Sequence, residues 1–143
     1  MILLIEDDRD DELLMQMALK DSNIQHELLV IRDGVAALDF LYGTGEYAGR
    51  DLSVMPSLIL LDLKLPKMDG VEVLRHINDH KRIRVIPIVV LTSSSRDEDM
   101  MECYRLGANS YIQKPMNLHD FVDVVRQLGD YWLKLNKVPG DLL

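Results

Sequence analysis

The sequence predicts an α/β protein built on a parallel β-sheet, and two patterns lead to that prediction. Short apolar runs, typical of strands buried on both faces, alternate with longer stretches in which apolar residues recur at helical spacing. This alternation occurs five times along the 143 residues, and such a strand–helix order places successive strands parallel to one another. The length and the 48% apolar content are those of one globular domain.

The first two predicted strands are Ile2–Ile5 and Leu28–Ile31. Between them the spacing predicts a helix that starts near Asp10, where acidic residues suit the helix dipole, and that closes with Lys20. Its expected buried stripe consists of Leu13, Leu14, Met17 and Ala18.

After the second strand, Asp33 is predicted to cap a helix that the first of three glycines, Gly43, ends. The connection over residues 42–56 is long for a link between a helix and a strand. The sequence leaves open whether this segment is an ordered functional loop or a mobile one.

The third predicted strand, Leu58–Leu61, is a continuous apolar run, and Asp69 and Gly70 start the helix that follows it. The fourth strand is predicted over residues 85–91, with Pro87 restricting its early residues to a strand start. A polar run of Thr92 and three serines then follows at the carboxyl end of this strand.

The fourth helix is predicted over residues 97–106 and the fifth strand over Ser110–Gln113. The last helix has a core stripe made of Leu118, Phe121, Val125, Leu128 and Trp132. A second apolar stripe lies beside it and consists of Val124, Tyr131 and Leu135. A helix with two apolar stripes usually buries one of them against another molecule, and a second subunit is the favoured partner.

These elements predict a flavodoxin-like doubly wound sheet of five parallel strands in the order 2-1-3-4-5, with helices on both faces. The domain is predicted to span residues 1–136, and residues 137–143 form a C-terminal tail that contributes to a dimer interface. The chain ends soon after the fifth helix, so we expect no separate output domain.

Composition restricts the function. The net charge of −8 would be repelled by phosphate backbones, which argues against direct nucleic-acid binding. No apolar run approaches membrane-spanning length, and the apolar N-terminus meets acid after five residues, unlike a secretion signal. The single cysteine, Cys103, fits a reducing compartment. We therefore expect a cytoplasmic protein that binds neither membrane nor nucleic acid.

Polar residues at the ends of four predicted strands form the candidate site, because in a parallel sheet these positions meet at one edge. They are Glu6, Asp7 and Asp8 after the first strand, Asp62 after the third, Thr92 after the fourth and Lys114 after the fifth. Carboxylates this close raise one another's pKa unless a cation neutralises them, and Mg²⁺ suits such oxygen ligands. A hydroxyl and an ammonium beside them can stabilise a phosphoryl group on Asp62. Asp8 is either a third acid near the metal or the start of the first helix.

In this order and spacing, the motifs resemble the receiver domains of two-component response regulators. Asp62 is followed by Leu-Pro-x-Met-Asp-Gly, Thr92 lies in Leu-Thr-Ser 30 residues later, and Lys114 precedes Pro115 after a further 22 residues. The resemblance covers essentially the whole chain. It implies that Asp62 accepts a phosphoryl group from a sensor histidine kinase and that Lys114 forms a salt bridge with this group.

The same resemblance implies that Mg²⁺ is held by Glu6, Asp7, Asp62 and the backbone carbonyl of Lys64. It also implies a switch in which Thr92 moves toward the phosphoryl group and Tyr111 turns inward. The surface formed by the fourth helix, the fifth strand and the fifth helix would then change its preferred partner. The Lys114–Pro115 peptide bond is expected to be cis.

A narrower resemblance is to the stand-alone receivers paired with cyanobacterial phytochrome kinases. It rests on the loop over residues 42–56, on the segment Ile-Pro-Ile-Val-Val-Leu-Thr and on the C-terminal segment Tyr-Trp-Leu-Lys-Leu-Asn-Lys-Val-Pro. It implies a phytochrome-like kinase as partner and a homodimer formed through the fourth helix, fifth strand, fifth helix and tail.

Two other functions remain open at this point. A magnesium-dependent phosphatase with an aspartate nucleophile would need a second acid two residues after Asp62, where this chain has Lys64. A receiver-like scaffold that never takes phosphate is disfavoured by the complete set of Asp62, Thr92 and Lys114. We therefore expect a signalling switch and not an enzyme, with at most slow loss of its own phosphoryl group at a rate set by Lys64 and Ser94.

Overall fold

The protein, as a computed structural model, is described here for residues 1–138, and its centre is a five-stranded parallel sheet. The strand order is β2-β1-β3-β4-β5, which confirms the predicted flavodoxin-like topology. The strands are β1 (Ile2–Ile5), β2 (Leu28–Ile31), β3 (Leu58–Leu61), β4 (Ile88–Thr92) and β5 (Ser110–Gln113). The last five residues of the expected tail, 139–143, lie outside the described residues.

Helices cover both faces of the sheet. They are α1 (Arg9–Asp21), α2 (Gly34–Tyr42), α3 (Gly70–Asp79), α4 (Asp97–Arg105) and α5 (Leu118–Gly129), and α5 continues into a π-helical segment, Asp130–Leu135. One core layer joins the sheet to α2, α3 and α4, and the other joins it to α1 and α5. No helix in the described part of the chain combines the length and the apolar character that a bilayer crossing needs.

The register of the central strands determines which polar residues become neighbours. Ile5 of β1 pairs with Leu61 of β3, so the next residues, Glu6 and Asp62, leave the sheet side by side. Both strands are completely buried, because helices cover both faces of the sheet. A rigid, buried pair of strands therefore delivers two carboxylates to one edge.

The predicted stripe of α1 is partly wrong. Its buried residues are Met15, Ala18 and Leu19, whereas Leu13 and Met17 are 55% and 43% exposed. Apolar residues occupy so much of the circumference of this helix that their spacing alone does not determine which side faces the sheet.

Strand β4 and the last helix also differ in part from the sequence-based expectation. Strand β4 begins at Ile88 and not at residue 85, because residues 83–85 form a short 3₁₀ turn before Pro87. In the last helix, Leu118 is exposed at the first turn, while Phe121, Val125 and Leu128 form the buried stripe as predicted.

The loop over residues 42–56 is held by the side chain of Arg50. Its guanidinium lies 3.9 Å from the centre of the Phe40 ring and donates hydrogen bonds to the backbone oxygens of Phe40, Asp51 (3.1 Å) and Val54 (2.8 Å). One side chain thus ties two points of the segment to α2, which favours the ordered alternative for this loop.

Candidate functional site

The candidate site lies at the carboxyl edge of the sheet, where backbone hydrogen bonds hold its residues in place. The N–H of Asp62 donates to the carbonyl of Ile5 (3.0 Å), which ties the end of β3 to that of β1. The N–H of Lys114 donates to the carbonyl of Thr92 (2.7 Å), which ties the end of β5 to that of β4. Side chains that are far apart in sequence therefore meet at a fixed spacing.

Three carboxylates converge at this edge. One oxygen from each of Glu6, Asp7 and Asp62 lies within 4.8 Å of the other two. Glu6 and Asp62 are buried, whereas Asp7 is exposed and leaves the group open to solvent on one side. Hard oxygen donors in this number, with an open side for water ligands, fit a small divalent cation such as Mg²⁺.

The Asp62 carboxylate is oriented by two contacts. Its Oδ1 accepts a hydrogen bond from the N–H of Leu63 (2.8 Å), and its Oδ2 lies 3.5 Å from Nζ of Lys114. This side chain is buried at the end of a rigid strand and faces a cationic group, which is the environment of a positioned anionic nucleophile.

Lys114 supplies the positive charge of the site. Its Nζ lies 2.6 Å from Glu6 Oε2 and 2.7 Å from Asp11 Oδ2, and its side chain is only 10% exposed. Burial by itself lowers the pKa of Lys114, but the hydrogen bonds with Asp11 and Glu6 outweigh burial and place this pKa above its ordinary value. The residue is therefore a permanent ammonium.

The pKa of Glu6 is also raised, but here burial is the cause, and a raised pKa disfavours the charged form of an acid. Burial raises the pKa of Glu6 to about 7, although its hydrogen bond with Lys114 lowers it, and the charge of Asp62 raises it further. The carboxylate therefore depends on nearby positive charge to stay ionised, and a divalent cation would supply such charge.

Thr92, Ser94 and Tyr111 form a connected group beside the acids. The Thr92 hydroxyl is fully buried and accepts a hydrogen bond from the N–H of Ser94 (3.3 Å). The Tyr111 hydroxyl donates to the carbonyl of Ser94 (3.1 Å), and the Ser94 hydroxyl donates to Asp99 Oδ2 (2.6 Å). Ser94, in the loop after β4, thus links Thr92 to Tyr111 of β5 and to the first turn of α4.

Lys64 lies at the mouth of the site. It is exposed and lines an open cleft together with Asp7, Pro66, Asp69 and Asp99. It forms no ion pair within residues 1–138, so its side chain is available to molecules that enter the cleft.

Gly70 allows the backbone around Asp62 to pack closely. A Cβ at this position would lie 2.3 Å from the backbone oxygen of Asp62 and 2.7 Å from Cα of Leu63. We expect Gly70→Ala to lower the free energy of unfolding by about 1–3 kcal/mol, because the backbone carrying Asp62 must shift. Denaturant unfolding measures this change.

Gly49→Ala is the matched control for this prediction. Gly49 has a φ of +86°, but a Cβ there would meet nothing within 4 Å, so its cost is the smaller one of about 1 kcal/mol for backbone strain alone. Equal losses of stability in the two variants would contradict the close approach at Gly70.

Asp11 is a site residue that sequence reasoning treated only as a charge at the start of α1. It lies one helical turn before the buried Met15 on the same side of α1, which brings its carboxylate to Lys114. Knowledge of the buried face of α1 would have revealed it. Asp8, whose role was left open, is the N-cap of α1 and accepts hydrogen bonds from the N–H groups of Asp10 and Asp11.

The expected cis bond between Lys114 and Pro115 is wrong. Every peptide bond in the described residues is trans, which is the form that most bonds to proline adopt. The backbone hydrogen bond from Lys114 to Thr92 already fixes the loop at this point.

Known proteins are similar to this chain in both sequence and fold. The family model of the response regulator receiver domain matches residues 2–126. The chain is 45% identical to the response regulator Rcp1 of a Synechocystis species, over 97% of this chain and 92% of that protein.

Two solved structures resemble this one closely. The phosphorylated cyanobacterial phytochrome response regulator RcpA has a TM-score of 0.89 and 40% identity over 96% of each chain. The Mn²⁺-bound form of Rcp1 has a TM-score of 0.88 and 44% identity over 96% of this chain and 97% of that one. With its sheet order, its acidic edge and these likenesses, the chain belongs to the response regulator receiver domain family.

Proposed function

We propose that this chain is a phosphorylation-driven switch that accepts a phosphoryl group on Asp62 from a sensor histidine kinase. The observation that carries the proposal is the convergence of a three-carboxylate group with the Lys114 ammonium around one buried aspartate. A carboxylate oxygen of Asp62 attacks phosphorus, the bond from phosphorus to the histidine nitrogen breaks, and an acyl phosphate forms.

In this proposal, Glu6, Asp7 and Asp62, with the backbone carbonyl of Lys64, hold Mg²⁺. The bound ion supplies positive charge against the phosphoryl oxygens. Lys114 opposes the same charge from the other side as a permanent ammonium. Support for a divalent ion comes from the acidic group itself and from the Mn²⁺-bound form of Rcp1.

The proposed output is a change in the surface formed by α4, β5 and α5. The Thr92 hydroxyl, which accepts a hydrogen bond from the N–H of Ser94, donates its own hydrogen bond to a phosphoryl oxygen and draws the loop after β4 toward Asp62. Tyr111 already bonds to this loop through the carbonyl of Ser94 and packs against the core on the side of α4, so its inward position becomes more populated.

The experiment that tests this function is incubation with a small phosphodonor and Mg²⁺, followed by intact mass measurement. We expect one added phosphoryl group that requires the metal. Protein that stays unmodified under these conditions would instead support the scaffold function. Many turnovers on a generic phosphomonoester would support the phosphatase function, which the exposed Lys64 in place of a second acid disfavours.

The kinase is proposed to be phytochrome-like, since RcpA is described as a cyanobacterial phytochrome response regulator and Rcp1 is similar in sequence and structure. Lys64 and Ser94 are proposed to set how slowly the acyl phosphate is lost. Lys64 lines the open cleft that also contains Asp7 and Leu63, the residue whose N–H contacts the Asp62 carboxylate.

The proposed assembly is a homodimer formed through α4, β5 and α5. The described residues expose several large apolar side chains on α4 and on the π-helical segment that continues α5, namely Met101, Tyr104, Tyr131 and Leu135. A shallow depression beside Tyr131 is lined by Ile112 and Val124. In a symmetric homodimer, the apolar surface of one subunit would pack against the same surface of the other subunit.

Leu135→Asp is expected to weaken this dimer. Leu135 is 71% exposed, so an acid there does not disturb the core but would place a charge in the proposed interface. We expect the dissociation constant to rise by about tenfold or more, measured by sedimentation at micromolar concentration.

Met17→Asp on the exposed side of α1 is the matched control, and we expect it to leave the dimer unchanged. A wild-type protein that sediments only as a monomer, with and without phosphodonor, would contradict the dimer.

A further inference from the structure

The Lys114 ammonium does not lie centrally among the acids of the site. It is within hydrogen-bond distance of Glu6 (2.6 Å) and Asp11 (2.7 Å), whereas its 3.5 Å separation from Asp62 is longer than a normal hydrogen bond. The lysine that faces the proposed phosphoryl acceptor is therefore held mainly by other partners.

Asp11 is fixed in place by the first turn of α1. Its N–H donates to the N-cap side chain of Asp8 (3.2 Å), and its carboxylate points toward the edge of the sheet and contacts Lys114. The neighbouring Asp10 is exposed and forms no ion pair within residues 1–138. Of these two adjacent acids in the first turn of α1, Asp11 is therefore paired with Lys114 and Asp10 is not.

We infer that Asp11 is a positioning residue that holds Lys114 away from Asp62 in the unphosphorylated protein and releases it when a phosphoryl group arrives. The inference rests on the proposed phosphorylation of Asp62 and deepens it. Asp11 would thereby set how tightly the site retains a phosphoryl group and how tightly it binds a divalent cation.

The reason is the geometry of the two short contacts and the solvation of the two acids. Glu6 and Asp11 occupy two of the three N–H donors of the ammonium and hold Nζ 3.5 Å from Asp62, so a closer approach to a phosphoryl group there has to lengthen one of these contacts. Glu6 is buried, so leaving its carboxylate without a partner would be costly, whereas Asp11 is 29% exposed and water can replace the ammonium there. Asp11 is therefore the partner that Lys114 can leave in order to approach a phosphoryl oxygen.

Removal of Asp11 should change two affinities in opposite directions. Without Asp11, Lys114 is free to approach Asp62, where it favours an anionic phosphoryl group and repels a divalent cation. The loss of the negative charge of Asp11 also strengthens the binding of an anionic phosphoryl group and weakens the binding of a divalent cation. A purely structural role for Asp11 would instead weaken both kinds of binding together.

The test compares Asp11→Asn with the wild-type protein, using Mn²⁺ alone and then beryllofluoride, a phosphoryl analogue, at saturating Mg²⁺. Calorimetry is expected to show that Mn²⁺ binds about three- to tenfold more weakly and that beryllofluoride binds tighter by a similar factor. Asp11→Glu keeps the carboxylate and should restore both affinities toward wild type. Asp10→Asn makes the same change in net charge without touching Lys114 and should leave both affinities unchanged.

The outcomes separate this inference from the function on which it rests. If wild-type protein binds beryllofluoride and Asp11→Asn binds it equally or more weakly, the role of Asp11 is overturned and the phosphorylation switch stands. Equal effects of Asp10→Asn and Asp11→Asn would also overturn it, because net charge alone would then explain the change. If wild-type protein binds no beryllofluoride, the proposed function and this inference both fail.

Discussion

Asp62→Asn is expected to abolish phosphorylation completely. The substitution keeps the size of the side chain and an oxygen that can accept the hydrogen bond from the N–H of Leu63, so the strand end should keep its structure. The amide, however, lacks the anionic oxygen that attacks phosphorus. With Mg²⁺ and a small phosphodonor, intact mass should show one added phosphoryl group in wild-type protein and none in the variant.

Asp69→Asn is the matched control for this experiment. Asp69 borders the open cleft that Asp7 and Lys64 also line. Its side chain caps α3, a role that asparagine also performs well. This variant should be phosphorylated like the wild type. Added mass that persists in Asp62→Asn, for example on the exposed Asp7, would contradict Asp62 as the acceptor.

The positions of Glu6, Asp62, Thr92 and Lys114 could be predicted because each lies at the carboxyl end of a strand that is evident from local sequence. Leu58–Leu61 is a continuous apolar run, so the acid directly after it had to lie at the edge of the sheet. The same logic placed Thr92 at the carboxyl end of β4, of which it is the last residue, and Lys114 directly after β5. Strand ends in a parallel sheet are therefore readable from sequence without knowledge of side-chain packing.

The rotation of α1 could not be predicted in the same way. Apolar residues run through positions 13–15 and 17–19, so several helical faces are almost equally apolar. The error that placed Leu13 and Met17 in the core also hid the contact between Asp11 and Lys114, because both depend on the side of α1 that faces the sheet. Only the packing of α1 against α5 and the sheet resolves this choice.

Lys114 is expected to contribute to stability as well as to the proposed chemistry, because three carboxylates surround it. Glu6 is almost fully buried, and its carboxylate lies close to those of Asp7 and Asp62. Lys114 is the cation that forms ion pairs with Glu6, Asp11 and Asp62 in the described part of the chain. In the absence of metal, the folded protein therefore relies on the Lys114 ammonium to offset the charge of these carboxylates.

Lys114→Met is accordingly expected to lower the free energy of unfolding by about 3–5 kcal/mol in metal-free buffer, since removal of one partner leaves buried charge without compensation. Denaturant unfolding with a chelator present measures the loss. Addition of millimolar Mg²⁺ should recover part of it, because an ion that binds only the folded acids stabilises the folded state.

Lys20→Met provides the matched control, because Lys20 is exposed at the end of α1 and forms no ion pair within residues 1–138. Its effect should stay within about 0.5 kcal/mol and should not depend on Mg²⁺. Equal stability losses in the two variants would show that Lys114 contributes no more than an ordinary surface charge. A Lys114→Met variant that is destabilised but gains nothing from Mg²⁺ would show that the three carboxylates do not bind the ion in the folded protein.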